Sequence, residues 1–259
     1  MFNLCIGWIY AVVEKAVNSK YRMERIDKII SNELNIARSD AKSLIKSGKV
    51  FVNGVCEKSS SRKLDEEKDI LNVNGKQIQF RKFVYIMMHK PKGVISSTDG
   101  RKTNEKTVVD ILPDDMKRKN LFPAGRLDKN TTGFVLITDD GEFAHKILSP
   151  KNHIPKTYIA SLDKPFDDTM IQAFADGITI GSDECLPAVL EAVNGDYQTA
   201  KVVIRQGMYH QIKRMFKSFG IEVVELKRIK MGKLYLDERL SEGECRFLDE
   251  FELELIKSN

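Results

Sequence analysis

Between Met23 and Phe80 the apolar residues change period, and this restricts the segment to very few folds. Ile26, Ile29, Ile30 and Leu34 recur at helical spacing, and Ala41, Leu44 and Ile45 form a second helical stripe with Ser39 as its expected N-cap and Gly48 as its stop. The pattern then becomes alternation: Val50 to Val55 runs through Asn53-Gly54, and Asp69 to Val73 is followed by Asn74-Gly75. An Asn-Gly pair beside alternating residues is a strong hairpin signal, because both central residues of that turn need positive φ. Two helices and short strands ending near residue 80 predict a small α/β unit of about sixty residues, near the lower limit for independent folding.

Charge adds a direction. Lys42 and Lys46 share a face of the second helix at i, i+4, and Arg38 and Lys49 stand at its ends, so four cations line one edge. The whole chain is only +5, but residues 23–82 hold 13 basic against 9 acidic residues, whereas residues 83–259 hold 26 against 27. As a bare charge run, this helix reads as a solvated face. The ordered segment from Ala37 to Gly54, however, resembles the S4-like RNA-binding domain, which implies RNA contact through Arg38, Lys42, Lys46 and Lys49.

The rest of the chain is long enough for its own core. Mean hydropathy is −0.32 and 42% of residues are hydrophobic, which sets aside membrane-spanning and low-complexity classes. Cys5, Cys56, Cys185 and Cys245 are widely spaced with no C-x-x-C, so neither a zinc site nor a disulfide framework is expected, and a reducing cytoplasm fits. Met1 to Val13 is apolar, but no basic region precedes it, and Glu14 and Lys15 end it short of the about 20 residues a span needs. Residues 1–22 read as an appended or mis-started extension or, equally, as a docked amphipathic helix. Arg81 and Lys82 read as a connector. Beyond them, strand-like runs at 83–88, 133–138, 157–162 and 200–205 alternate with helical runs at 167–176 and 210–219, predicting an α+β domain with a mainly antiparallel sheet over residues 83–259.

No Walker loop, H-E-x-x-H or G-x-S-x-G occurs, the four histidines are scattered, and Asp139-Asp140-Gly141 reads as a turn. The informative stretch is Gly125 to Gly141, in which a polar loop containing Arg126 and Asp128 leads straight into an apolar strand. It resembles motif II of the pseudouridine synthases, whose G-R-L-D aspartate is the nucleophile. Three further stretches resemble that family in order: His89-Lys-Pro-Lys-Gly93, Lys156-Thr-Tyr158, and Gly207 to Met215, which contains His-Gln-Ile-Lys-Arg-Met. Leu226 to Gly232 matches its leucine-and-arginine signature. With the N-terminal unit, residues 23 to about 255 are similar to the ribosomal small subunit pseudouridine synthase A family.

The resemblance implies a metal-free and cofactor-free isomerase that converts one uridine of ribosomal RNA, in a pre-ribosomal particle, to pseudouridine. It implies a cytoplasmic monomer with no membrane association. Asp128 would attack the base or the sugar carbon, both of which stay open, and must be ionised, a form that the cation Lys213 favours. Tyr158 would supply a stacking face and a hydroxyl for proton handling. Leu226 would form an apolar floor, Arg126 would aid extrusion or touch the backbone, and Arg228 would contact substrate. Arg214, about 100 degrees from Lys213 on a helix, would meet phosphate instead. Residues 201–233, at a local +7, would form an RNA-facing groove. The alternatives are a large-subunit rRNA enzyme, a non-catalytic RNA-binding assembly factor, and a hydrolase that releases uracil.

Overall fold

Helix α1 (Ile26–Glu33) follows a short strand, β1 (Met23–Arg25), and faces α2 (Arg38–Lys46). These elements come from a computed structural model, which describes residues 23–65, 67–100 and 104–258; the expected extension, residues 1–22, lies outside the described residues. Ala37 caps α2 through its extended backbone, so Ser39, the expected cap, sits inside the first turn. Strands β2 (Val50–Val52), β3 (Val55–Cys56), β4 (Lys63–Asp65), β5 (Leu71–Val73) and β6 (Lys76–Ile78) follow. The two Asn-Gly pairs make the β2–β3 and β5–β6 hairpins, with Asn53 at φ 53° and Asn74 at φ 52°. A four-stranded sheet in the order β3-β2-β5-β6 results, and β1 pairs with β4. Ile26, Ile30, Ala41, Ile45, Val50 and Leu71 fill the core between helices and sheet.

The chain divides into two compact units, one of residues up to Phe83 together with Asp114–Asn120, the other of Val84–Pro113 and Leu121–Asn259. The sequence boundary after residue 82 is therefore crossed by one later excursion of the chain. In that excursion Arg118, 8% exposed, pairs with Glu33 at 2.9 Å and donates to the Arg81 carbonyl at 3.0 Å, while the Lys119 ammonium reaches Ser31 Oγ at 3.2 Å.

The second unit contains β7 (Tyr85–Lys90), β8 (Phe122–Ala124), β9 (Thr132–Thr138), α3 (Gly141–Leu148), β10 (Lys156–Leu162), α4 (Asp168–Asp176), β11 (Thr179–Ile180), β12 (Asp183–Glu184), β13 (Val189–Val193), β14 (Asp196–Ile204), α5 (Gln211–Lys217), β15 (Val223–Met231), β16 (Leu234–Tyr235), β17 (Cys245–Phe247) and α6 (Glu250–Lys257). Nine of its described strands form one sheet with the path β13-β14-β10-β15-β9-β7-β17, β16 on β15 and β8 on β9, and β11 and β12 pair as a separate hairpin. The α+β, mainly antiparallel expectation is borne out. The one parallel strand pair among the described residues is β9–β15, at the centre. Gly133 makes this pair possible: its φ is 101°, and a Cβ there would stand 2.2 Å from the Arg228 carbonyl oxygen.

Asp139-Asp140-Gly141 opens a helix and is not a free-standing turn. Asp140 Oδ1 accepts from Phe143 N at 3.0 Å and caps α3, while Asp139 Oδ1 accepts from Val84 N at 2.9 Å. Phe143, Ile147, Leu253 and Ile256 from α3 and α6 pack with Met87, Phe134 and Leu136 of the sheet. After β16 the chain returns along β7: Gly243 N donates to the His89 carbonyl at 2.7 Å and His89 N to the Glu244 carbonyl at 3.0 Å.

Candidate active site

Asp128 stands on an irregular loop just ahead of β9, and the carbonyls of Leu127, Asp128, Lys129 and Thr131 in that loop each accept a hydrogen bond. Ser96 Oγ donates to the Leu127 carbonyl at 3.1 Å, Thr131 N to that of Asp128 at 3.1 Å, and Gly93 N to that of Lys129 at 3.0 Å. Lys90, fully buried at the end of β7, sends its ammonium to the carbonyls of Pro91 (3.0 Å), Lys129 (3.0 Å) and Thr131 (2.9 Å). Carbonyls held at these four points fix the loop backbone and with it the place of the Asp128 carboxylate. Burial pushes the Lys90 ammonium down to about 8, against the opposing pull of the Asp128 and Glu242 carboxylates.

Helix α5 supplies the groups facing Asp128. Lys213 Nζ lies 3.4 Å from Asp128 Oδ2, and His210 Nε2 lies 3.4 Å from Oδ1. The Asp128 side chain is 28% exposed, so it is open to a ligand while held from both sides by α5. Ile212, Met215 and Phe216 bury the other face of α5, and Phe216 packs on Phe174 of α4 with ring centroids 5.2 Å apart.

Strands β10 and β15 build the opposite wall. Tyr158 is paired with Arg228, and Ala160 with Leu226, so Tyr158 and Leu226 project from neighbouring strands on the same side. Both are 7% exposed. Asp128, Lys213, Tyr158, Leu226 and Arg126 all line one cleft, which is open to solvent. Arg126 is exposed, and neither it nor the Tyr158 hydroxyl has a hydrogen-bond partner among the described residues.

The structure does not bring Arg214 and Arg228 into this cleft. Arg214 points away from Lys213 and pairs with Asp183 at 2.8 Å, donating also to the carbonyls of Ile180 (3.0 Å) and Tyr209 (3.4 Å), so its charge is neutralised on the β11–β12 hairpin. Arg228 is 2% exposed, and its Nε donates to the Phe134 carbonyl at 2.7 Å, tying β15 to β9. In the first unit Arg38 forks onto the buried Asp27, with contacts of 3.0 and 3.1 Å, beside Arg25. Burial raises the Asp27 carboxyl, but the hydrogen bonds from Arg38 and then Arg25 outweigh it and hold the group below its ordinary value. Lys42, Lys46 and Lys49 are exposed with no ion-pair partner among the described residues.

Residues 84–218 match the family model for RNA pseudouridylate synthase, and residues 24–70 match the S4 domain. The chain belongs to the RNA pseudouridylate synthase family. This pseudouridine synthase is 40% identical to an uncharacterized RNA pseudouridine synthase of Bacillus subtilis (strain 168), over 90% of this chain and 98% of that one. It is 38% identical to the ribosomal small subunit pseudouridine synthase A of Escherichia coli (strain K12), over 88% and 98% of the two chains. A crystal structure of a pseudouridylate synthase superposes with a TM-score of 0.62 at 36% identity, over 90% of this chain and 99% of that one.

Sequence reasoning gave no individual role to Lys90, His210 or Tyr209. Each lay inside a stretch already singled out, but their use depends on contacts across the fold: Lys90 with carbonyls 39 and 41 residues away, His210 with Asp128. Among the described residues, no group of three His, Cys, Asp or Glu side chains is placed to hold a metal, and no helix is long and apolar enough to cross a membrane.

Proposed function

We propose that this pseudouridine synthase isomerises a uridine of small-subunit ribosomal RNA in the cytoplasm, with Asp128 as the nucleophile. The observation that carries this reading is the convergence of one carboxylate, one ammonium and one free phenol in one open cleft. The reaction breaks the bond from N1 to the sugar and forms one from C5; C5 gives up a proton and N1 ends with one. A uridine flipped into the cleft would lie between the Asp128 carboxylate and the Tyr158–Leu226 wall. Lys213 and His210 fix the two carboxylate oxygens, so that one face of the group is aimed inward while the loop carbonyls hold its backbone. The Tyr158 ring holds the detached uracil as it turns, and its hydroxyl is the group available for the C5 proton. The small-subunit choice rests on the names carried by relatives such as the E. coli enzyme.

The test is to map pseudouridine in both ribosomal RNAs of cells with and without this protein. Loss of one site in the small-subunit RNA supports the proposal. Loss of a site in the large-subunit RNA moves the target, and no change in either leaves a non-catalytic RNA clamp.

A further inference from the structure

At the rim of the cleft stands a pair of rings whose outer member the mechanism does not use. Tyr209, 73% exposed, is the most exposed large hydrophobic side chain among the described residues. It is nonetheless not loose: its ring stacks on the His210 imidazole with centroids 3.8 Å apart and planes 18° off parallel. Its carbonyl accepts from Arg214 Nη1 at 3.4 Å, and Arg214 is itself anchored on Asp183 at 2.8 Å. His210 adopts φ 49° and ψ 33°, a left-handed backbone that is disfavoured for a residue with a Cβ. In this conformation the imidazole lies 3.4 Å from Asp128 Oδ1 and presents a face to Tyr209. The neighbours Met208 and His210 line the cleft, and Tyr209 does not, so its free ring face lies just outside the opening.

Extruding a uridine uncovers a face of the base next to it. Proteins that hold unstacked RNA cover such faces with exposed aromatic rings, which accept any base through its π-face. We propose that Tyr209 is the stacking platform for the base adjacent to the flipped uridine, and that it contributes to choosing the nucleotide context of the target. The inference rests on the RNA-modifying function proposed above. A purine, with the larger ring, gains more from this contact than a pyrimidine.

The experiment uses the full chain and a short oligouridylate carrying a single 2-aminopurine, whose fluorescence is quenched when it stacks. Wild type and Tyr209→Phe are expected to quench it on binding. Tyr209→Leu, which keeps bulk against His210 but removes the π-face, is expected not to. With small-subunit ribosomal RNA as substrate, Tyr209→Leu should raise KM about tenfold and leave kcat within about twofold, the effect of one lost stacked base. Equal quenching by wild type and Tyr209→Leu, or no quenching by wild type, overturns the platform. If the Leu variant alone loses quenching while no RNA gains pseudouridine, the platform stands and the proposed function falls.

Discussion

The lysines of α2 and the basic run 201–233 look alike in sequence and differ in the folded chain. On α2 and in the turn that follows it, Lys42, Lys46 and Lys49 are exposed and unpaired among the described residues. In the run at 201–233, Lys201 pairs with Glu191 (2.9 Å), Lys213 with Asp128 (3.4 Å) and Arg214 with Asp183 (2.8 Å). Arg205 donates to the His153 carbonyl (3.0 Å), Arg228 to that of Phe134 (2.7 Å), and Lys230 lies over the Tyr235 ring (4.4 Å). The first set is free to release counterions from a phosphate backbone, whereas most of the second is already committed to neighbouring groups in the unit. Local net charge in a sequence therefore measures RNA affinity only where the fold leaves the charges unpaired.

The comparison breaks most visibly if catalysis and affinity cannot be separated. Asp128→Asn should leave turnover below about one hundredth of wild type, and Lys213→Ala should lower kcat about 100-fold, both with unchanged RNA affinity. Single-turnover assays beside filter binding would show this; an Asp128→Asn enzyme with a tenth of normal activity would remove the nucleophile assignment. Tyr158→Phe, lacking only the hydroxyl, should slow the chemical step about 100-fold without weakening binding, and full activity would reduce the residue to a stacking surface.

The opposite pattern is expected for α2. Changing Lys42, Lys46 and Lys49 together to Ala should flatten the slope of log affinity against log salt by about 2, at about 0.7 per contact on single-stranded RNA, with kcat preserved. Equal slopes in a salt series would return those lysines to a solvated face. Arg38→Ala should instead lower stability, because the buried Asp27 would keep Arg25 alone.

The buried lysines sharpen the contrast through pH. Lys90 and Lys156 are both lowered by burial from 10.5 to about 8. Between those values the unfolded chain binds more protons than the folded one, so stability should rise with pH. Activity should fall over the same interval, because Lys90 loses charge and a donor from the loop that carries Asp128. Urea midpoints at pH 7.5 and 9.5, with a pH–rate profile, check both signs; activity that stays flat through pH 9 would show that the Lys90 charge is dispensable. The smallest effect is expected from Arg228→Met, a stability loss of about 1.5–3 kcal/mol from the charge-assisted bond to Phe134, with no change in salt slope. A flattened slope in that variant would place Arg228 on RNA after all.

Local signals in the sequence were reliable because they act over a few residues. The Asn53-Gly54 and Asn74-Gly75 hairpins and the stripes of α1 and α2 are set by φ preferences and by side-chain period, and the structure has them where the pattern places them. Asp139-Asp140-Gly141 misled because the same residue types form turns and cap helices; the choice was made by Val84 N and by the Tyr85 hydroxyl, which donates to Asp140 Oδ2 at 2.6 Å, both 55 residues away. The candidate site divided in the same way. The loop of Asp128 and the α5 position of Lys213 were legible through the resemblance of their stretches to the pseudouridine synthase motifs. The engagement of Arg214 and Arg228 was not, because Asp183 and the Phe134 carbonyl are brought in by strand pairing far from either arginine in sequence.

Gly133 has a bearing on how this cleft can diverge. The rim at Tyr209, the floor at Leu226 and the lysines of α2 are side chains, and each can be exchanged for another side chain while the backbone stays in place. Gly133 differs in kind, since any other residue would put a carbon 2.2 Å from the Arg228 carbonyl oxygen at a φ of 101°. Such a change would wedge β9 away from β15, and with it the loop of Asp128 away from the wall of Tyr158 and Leu226. Drift among related sequences can thus retune which RNA is held and how tightly, while the separation of nucleophile and base-holding wall is inherited as a fixed length.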